Sequence, residues 1–406
     1  MKKISKQRNW EPVPIVFFKL GGTWDMIKKN GQLIGSGGLD DDGLFHLEKS
    51  LGLDEPGHIA EKELHLAREV EKSFVSEELD LIEHLHWVPH AEKYVTGTFR
   101  SLFSGDSSHL RASIVAPIVS MVLQFANAHP DIQVLAAQGT DTADIAIIPL
   151  LDVFTFDTSL LPILITGSNR SHREWNSDAP ANFSDLFHLT GAHLPAGSYW
   201  VFADHLYRGS DFVKIDPLET RRIENYSTFF APRLTARFTR KAIEENSLFH
   251  HEKGSAVGKN HIVSKINMED LFASLEAIVT VNLGDQNPLE EEIEKIHNPK
   301  HKAVVISAHS LGNVNDPIKF ACLEEVKKGK LIFVVSRSLI GEVNERYAAS
   351  LLSINATSAK GHLISGHKIN QHVVRAIAVR ALMDNLSQHD AQELLNSYAE
   401  SRGLLN

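Results

Sequence analysis

Short, uninterrupted apolar runs recur along this 406-residue chain at 15–20, 134–137, 163–166 and 199–203, each closed by small or polar residues. Helix-length segments, such as 110–128 and 143–151, lie between them. Strands rich in β-branched and aromatic residues that alternate with helices are buried on both faces, the pattern of a parallel sheet. From 231 to 271 the chain turns charged and polar, with Gly254 and Gly258 and no sustained apolar run, which predicts a connection. The α/β rhythm then resumes at 277–283, 303–307 and 331–335, followed by amphipathic helices at 370–386 and 391–401. The expectation is an α/β protein of two domains. A larger one (1–230) holds a doubly wound, mostly parallel sheet, 231–271 is a linker, and 272–406 forms a smaller α/β domain.

Composition narrows the function classes. A hydrophobic share of 43% and a charged share of 23% suit a soluble globular protein. Ten more acidic than basic residues (51 against 41) argue against a nucleic-acid surface, which needs a basic footprint. The first residues are positively charged, but Trp10 and two prolines follow where a signal peptide needs an apolar core. The apolar run after them is too short to span a bilayer. These features predict a cytosolic protein with neither a membrane nor a nucleic-acid partner. The single cysteine, Cys322, allows no internal disulfide and sits in a helical stretch, where packing is its expected role.

Three polar segments follow predicted strands, on the sheet edge where ligands dock in such folds. In KLGGTWD, Gly21 and Gly22 permit a sharp turn and close backbone approach, and Thr23 sets a hydroxyl at the strand end. An ordinary turn fits that segment equally well. The loop beyond it, 28–43, carries five glycines and Asp40 to Asp42, as a mobile lid or a surface loop would. In QGTDTAD, Thr140 or Asp141 could simply cap the following helix, or face the same crevice as Thr23. In HLYRGSDFVKID, Lys214 is either a solvated lysine or, if partly buried, a base for a hydroxyl nucleophile.

Taken together, Gly21-Gly22-Thr23 and Gly139-Thr140-Asp141-Thr142, in this order and each after a strand, resemble the bacterial-type L-asparaginase family. TGSNR (166–170), NSDAPANFSDLF (176–187) and LYRGSDFVK (206–214) extend the likeness, the last toward the cytoplasmic type I branch. Fainter similarity occurs at Asp106-Ser107-Ser108, LGNVN (311–315) and GEVNERYAAS (341–350). The resemblance implies an amidohydrolase acting on L-asparagine or a related amide, with Thr23 as nucleophile and Thr140, Asp141 and Lys214 as a proton-relaying cluster. Gly22, Asp106, Ser107, Ser108 and Gly139 would contribute to substrate binding, with Asp141 also holding the substrate's amino group. Backbone N–H groups near Thr23 and Thr140 would hold the oxyanion. It implies an acyl-enzyme, no metal or organic cofactor, a small-molecule substrate, and a homo-oligomer (dimer or tetramer) in which Asn315 reaches across an interface.

The chain departs from the family pattern in places. Members usually carry a tyrosine in the mobile N-terminal loop; here the aligned stretch 30–38 offers Gln32, and no tyrosine precedes Tyr94. Leu20 stands where threonine is common, and His109 where aspartate is usual. Two other functions stay open: a catalytically silent binding relative, and an ammonia-generating subunit of a tRNA amidotransferase. The latter carries an extra domain ahead of its Gly-Gly-Thr turn, whereas about twenty residues precede it here. His84, His86 and His90 cluster in HLHWVPH, but without further donors a surface segment is expected. The mixed charges of 289–302 predict a solvated helix face.

Overall fold

The structure, a computed structural model, describes residues 13–20, 27–29, 32–34, 56–58, 85–88, 93–103, 110–171, 177–192, 194–203, 205–209, 212–214, 229–230, 236–237, 266–283, 288–338, 342–343, 350–355 and 361–405. The strands in chain order are β1 (Val13–Leu20), β2 (Ile27–Lys29), β3 (Gln32–Ile34), β4 (Pro56–His58), β5 (Leu85–Val88), β6 (Lys93–Phe103), β7 (Gln133–Ala137), β8 (Ile163–Thr166) and β9 (Ser198–Phe202). They continue with β10 (His205–Arg208), β11 (Val213–Lys214), β12 (Phe229–Phe230), β13 (Ala236–Arg237), β14 (Ile278–Asn282), β15 (Ala303–Ala308), β16 (Leu331–Ser336) and β17 (Ile364–Ser365). The helices are α1 (Ala112–Ala128), α2 (Ile147–Thr155), α3 (Ala179–Leu189), α4 (Met268–Glu276), α5 (Leu289–His297), α6 (Asp316–Lys327), α7 (Gln371–Met383) and α8 (Gln388–Ser401). Among the described residues, no helix is long and apolar enough to cross a membrane.

The large sheet runs β13-β10-β9-β8-β7-β1-β6-β4, with β5 also paired to β6. Its central pairs, from β6 through β9, are all parallel. Alternation along each strand divides the core. Phe17, Leu135 and Leu164 pack on one face against Phe183, Leu186 and Phe187 of α3. Phe18, Val134 and Ala136 pack on the other against α1 and α2. Phe17 stacks on Phe183 at 5.7 Å between ring centroids, and Phe18 meets Phe125 edge-on at 5.6 Å. Burial on both faces is why these strands read as unbroken apolar runs.

At one edge the sheet turns antiparallel, where β10 pairs with both β9 and β13. The short strand β13 lies inside the stretch 231–271 expected to connect two domains, as does the start of α4. The predicted helix 143–151 is also shifted. A 3₁₀ turn occupies Thr140–Thr142, and α2 starts only at Ile147, after Ala146 leaves helical geometry at φ −124° and ψ −89°.

The second sheet, β14-β15-β16-β17, is parallel throughout. Its inner face packs on α7, which is also buried against α2, so α7 lies between the two sheets. Its outer face is covered by α6, with Cys322 fully buried; burial pushes that thiol up, which suits packing and not reactivity. The charged run 289–302 is less solvated than expected: Glu292 is 2% exposed and accepts from Lys295 at 2.9 Å.

Two arginines tie the last helices to the large sheet. Arg380 forks onto Asp157 at 3.0 and 2.8 Å. Arg402 lies wholly inside, paired with Asp152, whose other oxygen accepts the Tyr398 hydroxyl at 2.5 Å while Ser198 N–H donates to Asp152 at 3.0 Å. Burial alone would push the Arg402 guanidinium down; the Asp152 carboxylate beside it more than offsets this. Gly197, at φ +136°, makes room, since a Cβ there would meet Asp152 at 2.7 Å and Arg402 at 2.9 Å.

Candidate active site

The sheet's register brings four chain exits to one edge. Leu20 of β1 lies opposite Phe103 of β6, Lys19 opposite Ala137 of β7, and Ala137 opposite Thr166 of β8. The segments holding residues 104–109, 21–26, 138–142 and 167–171 therefore leave neighbouring strands at their carboxyl ends. The chain passes from β1 out to β6 and returns across β1 to β7, so the winding reverses beside β1. A reversal of this kind opens a crevice at the strand ends.

Past β7, Gly139 is extended (φ −66°, ψ 140°) and the 3₁₀ turn Thr140–Thr142 follows. Neither Thr140 nor Asp141 caps a helix, since neither the turn nor α2 has a side-chain cap hydrogen bond. Thr140 is 1% exposed, and its Oγ1 accepts from Lys214 Nζ at 2.8 Å. The same nitrogen donates to Asp141 Oδ1 at 2.5 Å. The Lys214 side chain is only 13% exposed while that of Asp141 is 56% exposed, so one end of the cluster is enclosed and the other opens to solvent. A lysine nitrogen between a buried hydroxyl and a carboxylate can pass a proton along the hydroxyl and hold its charge against the acid.

Residues with no role assigned from sequence hold this cluster in place. Asp144, 7% exposed, accepts the backbone N–H of Lys214 at 3.2 Å and so anchors β11 beside the turn. Burial raises its carboxyl above the ordinary range, against the opposing pull of the Lys214 N–H and charge. Its place at the end of QGTDTAD was the only signal available. Gln138 donates from Nε2 to the Thr142 carbonyl at 3.1 Å and hydroxyl at 3.3 Å, clamping the turn.

The described residues of the segments 166–170 and 177–187 make scaffold contacts. A Cβ on Gly167 would collide with the Gln138 carbonyl oxygen, so only glycine lets the ends of β7 and β8 approach this closely. Asn182 donates to the Gly167 carbonyl and accepts from Ala203 N–H, both at 2.9 Å, linking the ends of β8 and β9. Asp178 accepts the N–H groups of Asn169 and Arg170 at 3.0 and 3.1 Å.

Of the sequence candidates, Gly139, Thr140, Asp141 and Lys214 are thus brought together. Gly22, Thr23, Asp106, Ser107 and Ser108 lie outside the described residues, as do His84, His90 and His109. Gln32 opens β3, which pairs antiparallel with β2. Asn315 sits by the second sheet as the N-cap of α6, its Oδ1 accepting Ile318 N–H at 3.1 Å. That oxygen serves a helix end within its own subunit.

Residues 59–240 match the family model of the asparaginase N-terminal domain, a domain of hydrolases acting on amides. The match spans Asp106 to Ser108, Gly139 to Asp144, and Lys214; Gly22 and Thr23 precede it. The chain is similar in fold to the thermostable L-asparaginase of Thermococcus kodakarensis, at 14% identity and TM-score 0.63, over 94% of this chain and 96% of that one. It is similar to the probable cytoplasmic L-asparaginase of Campylobacter jejuni at 15% identity and TM-score 0.62, over 94% and 99%. For L-asparaginase I of Vibrio cholerae the values are 15%, 0.60, 95% and 97%. No curated protein sequence matches the chain. The resemblance carried by the motifs and the two-domain α/β fold it implied are both borne out.

Proposed function

Because residues 59–240 carry an asparaginase N-terminal domain on a chain with the L-asparaginase fold, we propose that this protein hydrolyses the side-chain amide of L-asparagine, or a closely related amide, through Thr23. The observation that carries the reading is Lys214 Nζ, at 2.8 Å from Thr140 Oγ1 and 2.5 Å from Asp141 Oδ1 on the edge from which the Thr23 segment also leaves.

The steps follow from that arrangement. The Thr23 hydroxyl attacks the amide carbon as its proton passes to the Thr140–Lys214 pair, and backbone N–H groups near Thr23 and Thr140 take the developing oxyanion. The C–N bond breaks, the nitrogen takes up the relayed proton, and ammonia leaves an ester on Thr23. Water then attacks the ester carbon, its proton returns along the relay, and aspartate leaves as the Thr23 hydroxyl is restored. Asp106, Ser107, Ser108, Gly22 and Gly139 fall on segments leaving the same edge and serve the substrate's polar groups. Asn315, spent on a cap within its own chain, reaches a neighbouring subunit's site only if a homo-oligomer forms. Cytosolic residence belongs to the same reading, in line with the probable cytoplasmic enzyme of Campylobacter jejuni.

Purified protein given L-asparagine should release ammonia, and Thr23→Ala or Lys214→Met should lower that rate by about 100- to 10,000-fold with unchanged circular dichroism. Equal release by wild type and Thr23→Ala would overturn the mechanism. A parallel run with L-glutamine and simple amides defines the substrate, and sedimentation velocity the assembly.

A further inference from the structure

Beside the Thr140–Lys214 cluster, a cavity of about 230 Å³ lies where α1, α2 and α7 meet. Val115, Leu150 and Val379 give it an aliphatic wall, and Arg111 and Arg375 a cationic one beside the His372 imidazole. There is no Asp or Glu among its described lining residues. The three helices all begin here, none with an acidic residue in its first turn, and α1 and α2 have no side-chain cap. Helix N-termini carry partial positive charge and free N–H groups, so the walls converge on a place for negative charge.

Arg375 makes the argument specific. Its Nε is buried without a hydrogen-bond partner, and no described carboxylate forms an ion pair with it; Glu276 acts on it only at a distance. Burial pushes its guanidinium down, and burial with Arg375 nearby takes the His372 imidazole down to about 4. Arg375 as a whole is only partly buried, but a largely desolvated guanidinium without an anion is costly, and no described residue supplies its counter-charge. At ~30 Å³ for each water-sized position, the volume suits roughly eight non-hydrogen atoms.

We propose that this cavity binds a small carboxylate with a short aliphatic body, the carboxylate on Arg375 and the hydrocarbon against Val115, Leu150 and Val379. Thr142 also lines the cavity, in the turn that presents Thr140 and Asp141. Resting on the amidohydrolase reading above, an occupant therefore alters the rate of amide hydrolysis through that turn.

The probe is 4-methylpentanoate, whose six carbons and two oxygens match the volume, titrated calorimetrically into the full-length protein. The expected result is saturable binding at one site per chain, weakened at least about tenfold in Arg375→Met. No binding of the neutral isostere 4-methylpentan-1-ol is expected. Arg375→Met should also melt no lower than wild type, because it relieves an uncompensated charge; a guanidinium serving only the fold would give a lower Tm. Equal affinity for acid and alcohol, unchanged binding by Arg375→Met, or no heat at millimolar probe would each overturn the site. Binding is read without turnover, so it fails or succeeds independently of amide hydrolysis. The coupling is overturned if saturating probe leaves the ammonia rate unchanged.

Discussion

Replacing Asp152 with alanine should come close to detaching the C-terminal helices from the large sheet. Asp152 and Arg402 both have side chains of 0% exposure and stand 250 residues apart in sequence, so their pair joins α2 to the chain end. Truncation removes the counter-ion of Arg402, the acceptor of the Tyr398 hydroxyl and the acceptor of Ser198 N–H. Arg402 already has Nε and Nη1 without partners, and the Arg208 guanidinium lies near enough to repel it. Breaking a buried pair from one side costs about 3–5 kcal/mol, against a total stability on the order of 5–15 kcal/mol. The double variant Asp152→Leu with Arg402→Met leaves no orphaned charge and should recover most of the loss. The assay is urea unfolding of wild type, both single variants and the double variant, followed by tryptophan fluorescence and circular dichroism. If the alanine variant unfolds within about 1 kcal/mol of wild type, or the double variant is no better than the singles, the pair does not hold the two parts together.

Asp144 is a positioning residue for Lys214: Asp144→Ala should lower kcat about tenfold with little change in KM and cost about 1 kcal/mol, while Asp144→Asn keeps the acceptor and most of the rate. Its carboxyl is raised by burial, so wild type should gain stability relative to the Asn variant as pH falls, the reverse trend arguing against a desolvated acid. Glu325 behaves oppositely. Burial pushes its carboxyl up, but hydrogen bonds from Lys328, His297 and Lys330 bring it from 4.5 down to about 2. Its contribution is therefore full above pH 4.5 and lost as pH falls toward 2, and acid titration of unfolding should be flatter in Glu325→Gln.

Much of the frame was legible in the chain because it follows from local rules. A strand buried on both faces must be apolar throughout, and so β7, β8, β15 and β16 stand within a residue or so of their predicted ends. The Gly-Thr-Asp-Thr turn just past β7, with Lys214 later in the order of the family it resembles, was enough to nominate three of the four catalytic candidates. Elsewhere the local rule was overridden. A helix expected from 143 begins at Ile147, because Gln138 holds the Thr142 carbonyl and hydroxyl in a 3₁₀ turn, and that clamp arises only once the end of β7 is in place.

Hydrophobic period and turn chemistry are properties of neighbouring residues, so the sequence by itself determined the sheet class, the strand ends and which hydroxyls and carboxylates stand beside them. What a polar side chain does depends on partners far away in the chain. Thr140 had a following helix to cap; instead it meets Lys214, 74 residues on. Asn315, expected at a neighbouring subunit's site, also caps α6 within its own chain. Asp144 becomes an anchor for Lys214, and Arg375 is left partly buried beside three helix starts with no described carboxylate paired to it. Burial sets the energy of an ion or a hydrogen bond, and burial is a property of the packed whole, which is why tertiary structure alone decided these roles.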